Sequence, residues 1–203
     1  MKILAGLVCL AACLMAQTHR AEQDREIYYQ LLDPQSHQFR ISHDFNVTRA
    51  GQKSVHSFVR KGSVVSQALI YDLDTGEQLK TYNVTGKQVN ALGYYATPAA
   101  EDSVVVQADL PHAIGPGESV RVRVIETYTD AQSYTLSNGE LVFDRTLGRP
   151  RNDVTLPAGW KLSAVTVPAI VKLDAEGRVT CHFTNPRNDE IHIMIKARLR
   201  TAR

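Results

Sequence analysis

The side chains of this chain that can do chemistry are its histidines, a few acidic groupings, one cysteine in the body and several paired aromatics. The seven histidines, His19, His37, His43, His56, His112, His182 and His192, are dispersed. A metal needs three or more ligands to converge. His43 with Asp44, or His182 with His192 on neighbouring strands, are the pairs that would begin such a site, and no metal is expected. Asp44, His43, His56 and Arg60 form the set from which an unfamiliar enzyme site would be assembled on adjacent strands. Asp72-Leu-Asp74-Thr-Gly-Glu77 spaces carboxylates like the start of a calcium loop, but the later oxygen ligands and the closing bidentate Glu are missing, so it reads as a hairpin turn. In Arg178-Val-Thr-Cys-His-Phe183, Val179, Cys181 and Phe183 share one face of a strand while His182 points to the other, which makes Cys181 a small core residue rather than a nucleophile paired with His182. Tyr28-Tyr29, Tyr94-Tyr95 and Trp160 fall in loop-like surroundings, and exposed aromatic faces stack on sugars or bury a peptide. Tyr94, Tyr95 and Trp160 are therefore the candidate binding residues, although Trp160, after Leu156-Pro-Ala-Gly159, reads first as a plug at the end of the core.

No HExxH, CxxC, GxSxG, phosphate-binding glycine loop or dinucleotide fingerprint occurs. Zincins, elbow-type hydrolases and nucleotide enzymes are disfavoured, and no cofactor is expected. The formal charge of +2 gives no strong field for nucleic acid.

The first sixteen residues, MKILAGLVCLAACLMA, carry a positive Lys2 and then an apolar run too short to span a bilayer. They read as an export signal. Leu10-Ala-Ala-Cys13 resembles the bacterial lipobox, which implies cleavage before Cys13, its acylation and a membrane anchor. Cleavage after Ala16 is a competing reading and gives a plainly secreted protein, and an uncleaved anchor is a third. All three place the body outside the cytoplasm, in the periplasm, on the outer membrane or secreted. Cys9 and Cys13 belong to the leader, so Cys181 has no partner for an intrachain disulfide.

Residues 17–25 contain no large apolar side chain and read as a tether. From Glu26 to Arg203 the pattern is one of short runs of period two, rich in Val, Ile, Thr, Tyr and Phe and punctuated by Gly, Pro, Asn and Asp. This predicts an all-β fold, an antiparallel β-sandwich of about ten to twelve strands, immunoglobulin-like in style. It forms one elongated sandwich or two abutting lobes split near 111–116. Three hairpins stand out: residues 67–73 with 78–84, residues 133–136 with 140–143 across Asn138-Gly139, and residues 169–173 with 178–183. Further strands are expected over 38–48, 55–59, 104–110, 119–128 and 190–199, with a single helical turn near Tyr28 to Leu32.

Asp33-Pro-Gln-Ser-His-Gln-Phe-Arg-Ile41, and Asp109-Leu-Pro111 before Ile114-Gly-Pro-Gly-Glu-Ser119, resemble in style the amino-terminal β domain of zinc aminopeptidases and other bacterial exported sandwich modules. The zinc ligands of that family are missing. The resemblance implies a β scaffold without the chemistry and carries over no functional residue. The expected role is a noncatalytic envelope or secreted module in contact with an unknown protein or glycan, attached to the membrane through Cys13.

Overall fold

Alternation of apolar and polar side chains, broken at His43 in one and at Ile125 and Glu126 in the other, builds the two longest strands, and these organise the rest. The structure, a computed structural model, describes residues 26–187 and 189–200. The leader with Cys13 and the 17–25 tether lie outside the described residues. In chain order the strands are β1 (Glu26–Leu31), β2 (Gln38–Val47), β3 (Ser54–Phe58), β4 (Val64–Asp72), β5 (Gln78–Leu79), β6 (Thr81–Thr85), β7 (Val104–Asp109) and β8 (Val120–Thr129). They continue with β9 (Tyr134–Ser137), β10 (Glu140–Leu147), β11 (Arg151–Thr155), β12 (Trp160–Val165), β13 (Ile170–Leu173), β14 (Val179–Thr184) and β15 (Ile191–Leu199). Among the described residues a 3-10 turn (Pro34–Ser36) lies between β1 and β2, and one short α-helix, α1 (Gly86–Asn90), follows β6.

The fold is all-β, as the alternation predicts. An eight-stranded sheet in the order β13-β14-β11-β1-β2-β8-β4-β5 has two smaller sheets over it, β12-β15-β10-β9 and β3-β7-β6. Among the described residues every strand pairing is antiparallel except β1 with β11. That exception joins strands far apart in sequence, so no local turn signal announces it.

The three hairpins differ in how well local chemistry held them. Asn138 and Gly139 both take positive φ, the geometry of a two-residue reversal between β9 and β10. β13 and β14 pair across Asp174, whose carboxylate accepts from the Glu176 and Arg178 amides. The 67–84 hairpin is corrected: β4 pairs with β5 only at Ile70–Leu79 and Tyr71–Gln78, and β6 then leaves to pair with β7 in another sheet. Its turn is closed by Asp72 Oδ1, which accepts from the Asp74 amide at 2.8 Å, so the carboxylate is used by its own loop. The expected helical turn near Tyr28 is strand β1 instead. Ile27, Tyr29 and Leu31 point inward and Glu26, Tyr28 and Gln30 outward, a two-residue period that the β pairing on both sides exploits.

Two apolar clusters sit beneath the two smaller sheets. The first joins the large sheet to β9, β10, β12 and β15 around Phe39, Tyr134 and Phe143, with the Phe39 and Phe143 rings edge to face at 5.4 Å. Cys181 lies fully buried here, its thiol pushed up to about 11 by burial, which makes it the inert core residue its strand position implies. The second cluster joins the large sheet to β3 and β7 around Val55, Ile70, Val106 and Val122. β2 and β8 supply both clusters, so the seam between the small sheets is floored by the middle of these two strands.

Candidate functional site

A cavity of about 250 Å³ opens along that seam. Its floor comes from β1, β2 and β8 of the large sheet, one wall from β3 and the other from β10 and the residues after it. Inward-facing positions of β8 recur at Val120, Val122, Val124, Glu126 and Tyr128. Glu126 is thus a carboxylate placed in phase with a core face. It is 3% exposed, and its Oε2 accepts from Ser57 Oγ on β3 at 3.0 Å. Its Oε1 is buried without a hydrogen-bond partner. Burial pushes the carboxyl up to about 7, against the opposing effect of the Ser57 bond.

Arg145, inward on β10, forms the facing wall. Its guanidinium lies 4.9 Å above the Phe39 ring and is flanked by Tyr29 and Tyr128, while Nη1 donates to Asp130 Oδ2 at 3.0 Å. Asp130 also accepts from Ser63, Ser133 and the amides of Gln132 and Ser133, and those hydrogen bonds outweigh desolvation and hold its carboxyl below the usual range. Nε of Arg145 has no partner. Across the cavity mouth, Arg60 Nη2 donates to the Thr146 carbonyl at 3.1 Å, and Arg149 Nε donates to His43 Nε2 at 2.9 Å. These two arginines tie the sheets together over the seam.

An aromatic patch adjoins this mouth. His56 Nε2 donates to Gln107 Oε1 at 3.0 Å, which leaves Nδ1 to accept from the Tyr95 hydroxyl at 3.1 Å. Burial lowers the pKa of His56, so the ring is held neutral, and burial raises the Tyr95 hydroxyl to about 12. The relay continues from Gln107 Nε2 to the Tyr82 hydroxyl and on to Asp109, both at 2.7 Å. Tyr95 packs edge to face on Phe58 at 5.1 Å, and His56 and Phe58 both line the cavity. Tyr94 is anchored by the Lys53 amide, which donates to its hydroxyl, and by Arg49, which donates to its carbonyl.

The loop carrying the two tyrosines is held at its base by α1. Thr85 and Gln88 form a reciprocal capping box at the helix start, and the Asn90 side chain makes two 2.9 Å bonds to the backbone of Ala99. A Cβ on Gly86 would collide with the Ala100 carbonyl, so only glycine lets the returning loop close.

Of the residues that sequence marked for an unfamiliar site, the structure brings His43, His56 and Arg60 to this cavity and leaves Asp44 out. Adjacent strand residues face opposite ways, and Asp44 pairs on the outer face with Arg123 through two 2.7 Å bonds. Tyr94 and Tyr95 lie at its aromatic flank. Trp160 is elsewhere, 6% exposed in the first apolar cluster beside a surface hollow shared with Pro34, Leu136, Pro157 and Leu199. His182 and His192 do not meet: they stand in different sheets, each against its own aspartate, Asp153 and Asp144. Among the described residues no cluster of three His, Cys, Asp or Glu side chains has metal-binding geometry. Glu126 and Arg145 are the site residues that sequence reasoning missed; for Glu126 the signal was its phase with the valines before it.

No family model and no curated protein matches the chain. Solved structures with a similar arrangement include an M1 zinc metallopeptidase from Deinococcus radiodurans, at TM-score 0.49 and 15% identity over 85% of this chain and 40% of that one. Another is an aminopeptidase N family protein from Idiomarina loihiensis, at TM-score 0.47 and 11% identity over 85% of this chain and 29% of that one. The chain therefore spans less than half the length of either.

Proposed function

We propose that this chain is a noncatalytic β-sandwich module, exported and held at the cell envelope through a lipid on Cys13 or else secreted, that contacts a glycan or another protein. The observation that carries the reading is the aromatic patch beside the seam cavity, where Phe58 and Tyr95 are 39% and 38% exposed next to polar side chains that are already positioned by hydrogen bonds. A partly exposed aromatic edge beside a small polar cavity suits binding of a ring or side chain more than packing alone. Capture from detergent-solubilised envelope tests it. The unaltered protein should retain a partner that Tyr95→Ala loses, and equal retention by both would defeat the patch as the contact. The anchor has its own test: labelled fatty acid should enter the expressed protein and be abolished by Cys13→Ser, whereas soluble release with a terminus at Gln17 would defeat it.

One observation favours a second reading. A carboxyl titrating near neutrality in a cavity with His43 and His56 suits general acid–base chemistry. Turnover of any substrate that Glu126→Gln abolishes, with binding kept, would support an enzyme over a module.

A further inference from the structure

The end of β3 closes the seam over Glu126. Among the described residues β3 pairs with β7 alone, and after Phe58 the chain turns back into β4 through Gly62, which takes a φ of +86°. The start of β3 is held by Val55, buried in the second apolar cluster. Its end is held by polar contacts: Ser57 Oγ on Glu126 Oε2, the Arg60 backbone on the Tyr128 hydroxyl, and Arg60 Nη2 on the Thr146 carbonyl.

The first of these contacts suits only one protonation state. With Glu126 neutral, Oε2–H donates to Ser57 Oγ over the same 3.0 Å, and the oxygen left without a partner is an uncharged carbonyl. With Glu126 ionised, Ser57 is its one donor, and Oε1 shares the charge inside the protein with no hydrogen-bond partner. An underbonded buried carboxylate costs far more than an underbonded buried carbonyl. The charged and titratable side chains around the cavity are Arg145 on β10, Arg149 after it, Arg60 after β3, Glu190 before β15, and His43 and His56 on β2 and β3, with the Tyr29 and Tyr128 hydroxyls on the floor. None of them is bonded to Glu126, and the three guanidinium groups are engaged by Asp130, His43 and Thr146. Relief has to come from water, and Glu126 meets water only when what covers it moves.

We propose that the end of β3 is a proton-controlled flap: with Glu126 protonated, residues 57–60 stay closed on β8, and ionisation of Glu126 shifts them toward an open state that admits water to the seam cavity. Phe58 rides on the flap and packs on Tyr95, so the same ionisation loosens the edge of the aromatic patch. That consequence rests on the patch reading under the proposed function, whereas the flap itself does not.

The test is amide hydrogen exchange of the full chain across the acid to neutral range, expressed as protection factors so that the intrinsic pH dependence of exchange drops out. The reporters are Val59, whose amide donates to the Val104 carbonyl, and Arg60. If Glu126 regains its ordinary pKa of 4.5 in the open state, against about 7 when closed, their protection falls about tenfold per pH unit between those values and then levels off. A local opening exposes little surface, so this exchange should ignore low urea, while that of Val122 and Val124 in the middle of β8 should respond to it. Glu126→Gln, neutral at every pH, should give a flat profile, and Glu126→Met supplies the same comparison if the Gln variant does not fold. A flat profile in the unaltered protein overturns the flap. So does a slope that survives in Glu126→Gln, which would belong to the imidazoles, or exchange of Val59 and Arg60 that follows urea together with Val122, which would be global unfolding. A flat profile with Tyr95-dependent capture intact overturns the flap and spares the patch, and lost capture with the slope intact does the reverse.

Discussion

Asp44 and Glu126 stand on paired strands, at 4% and 3% exposure, yet they occupy opposite chemical situations. On the outer face Asp44 is gripped by the guanidinium of Arg123, whose pKa is raised chiefly by that bond and whose side chain remains 41% exposed. On the seam face Glu126 has a single serine bond and one oxygen with no partner. The same residue class, one strand apart, is a satisfied structural element in one place and an open valence in the other. Sheets make this contrast easily, because alternate positions on a strand belong to different environments. What distinguishes a site from a scaffold here is therefore the completeness of its hydrogen bonding more than its burial.

The contrast is broken most forcefully on the side of Arg145. Arg145→Met keeps the length of the side chain but strips Asp130, itself buried, of its counter-charge, and should cost about 3 to 5 kcal/mol in chemical denaturation. Next comes Glu126. Its folded-state pKa lies above its ordinary 4.5, at about 7, so the folded form binds the proton more tightly than the unfolded chain. That advantage is complete below the ordinary value and is lost as pH rises through the folded value. Stability should thus fall by about 3 kcal/mol over this window, and Glu126→Gln should flatten the fall and be the more stable protein above it. The smallest effect belongs to the outer face: Asp44→Ala should cost about 1 to 2 kcal/mol by the same measurement, because half-exposed Arg123 regains water when its partner goes.

Much of the fold was legible because its signals are local. The Asn138-Gly139 reversal and the Val120-Arg-Val-Arg-Val alternation each specify their own geometry. The parallel β1 and β11 pairing, the departure of β6 to a separate sheet, and the fifteen strands among the described residues, where ten to twelve are expected, depend on contacts between distant segments, which alternation does not encode. The site was legible by halves. His43, His56 and Arg60 were chosen for their chemistry and converge, but Asp44 was grouped with His43 by adjacency in sequence, which on a strand separates side chains. Tyr94 and Tyr95 were noticed as a pair, while the α1 clamp that presents them was not, since the Thr85 to Gln88 capping box opens a helix only five residues long. Glu126 belongs to no catalytic motif and no acidic cluster in the sequence. Its position in register with Val120, Val122 and Val124 was the only clue that it faces inward.

Carbon-detected NMR titration of the Glu126 side-chain carboxyl tests the central claim most directly. An unpartnered carboxyl buried in the seam predicts a midpoint near 7, where burial places it. A midpoint at the ordinary carboxylate value of 4.5 would contradict the account, because it would mean that Glu126 is already solvated or paired.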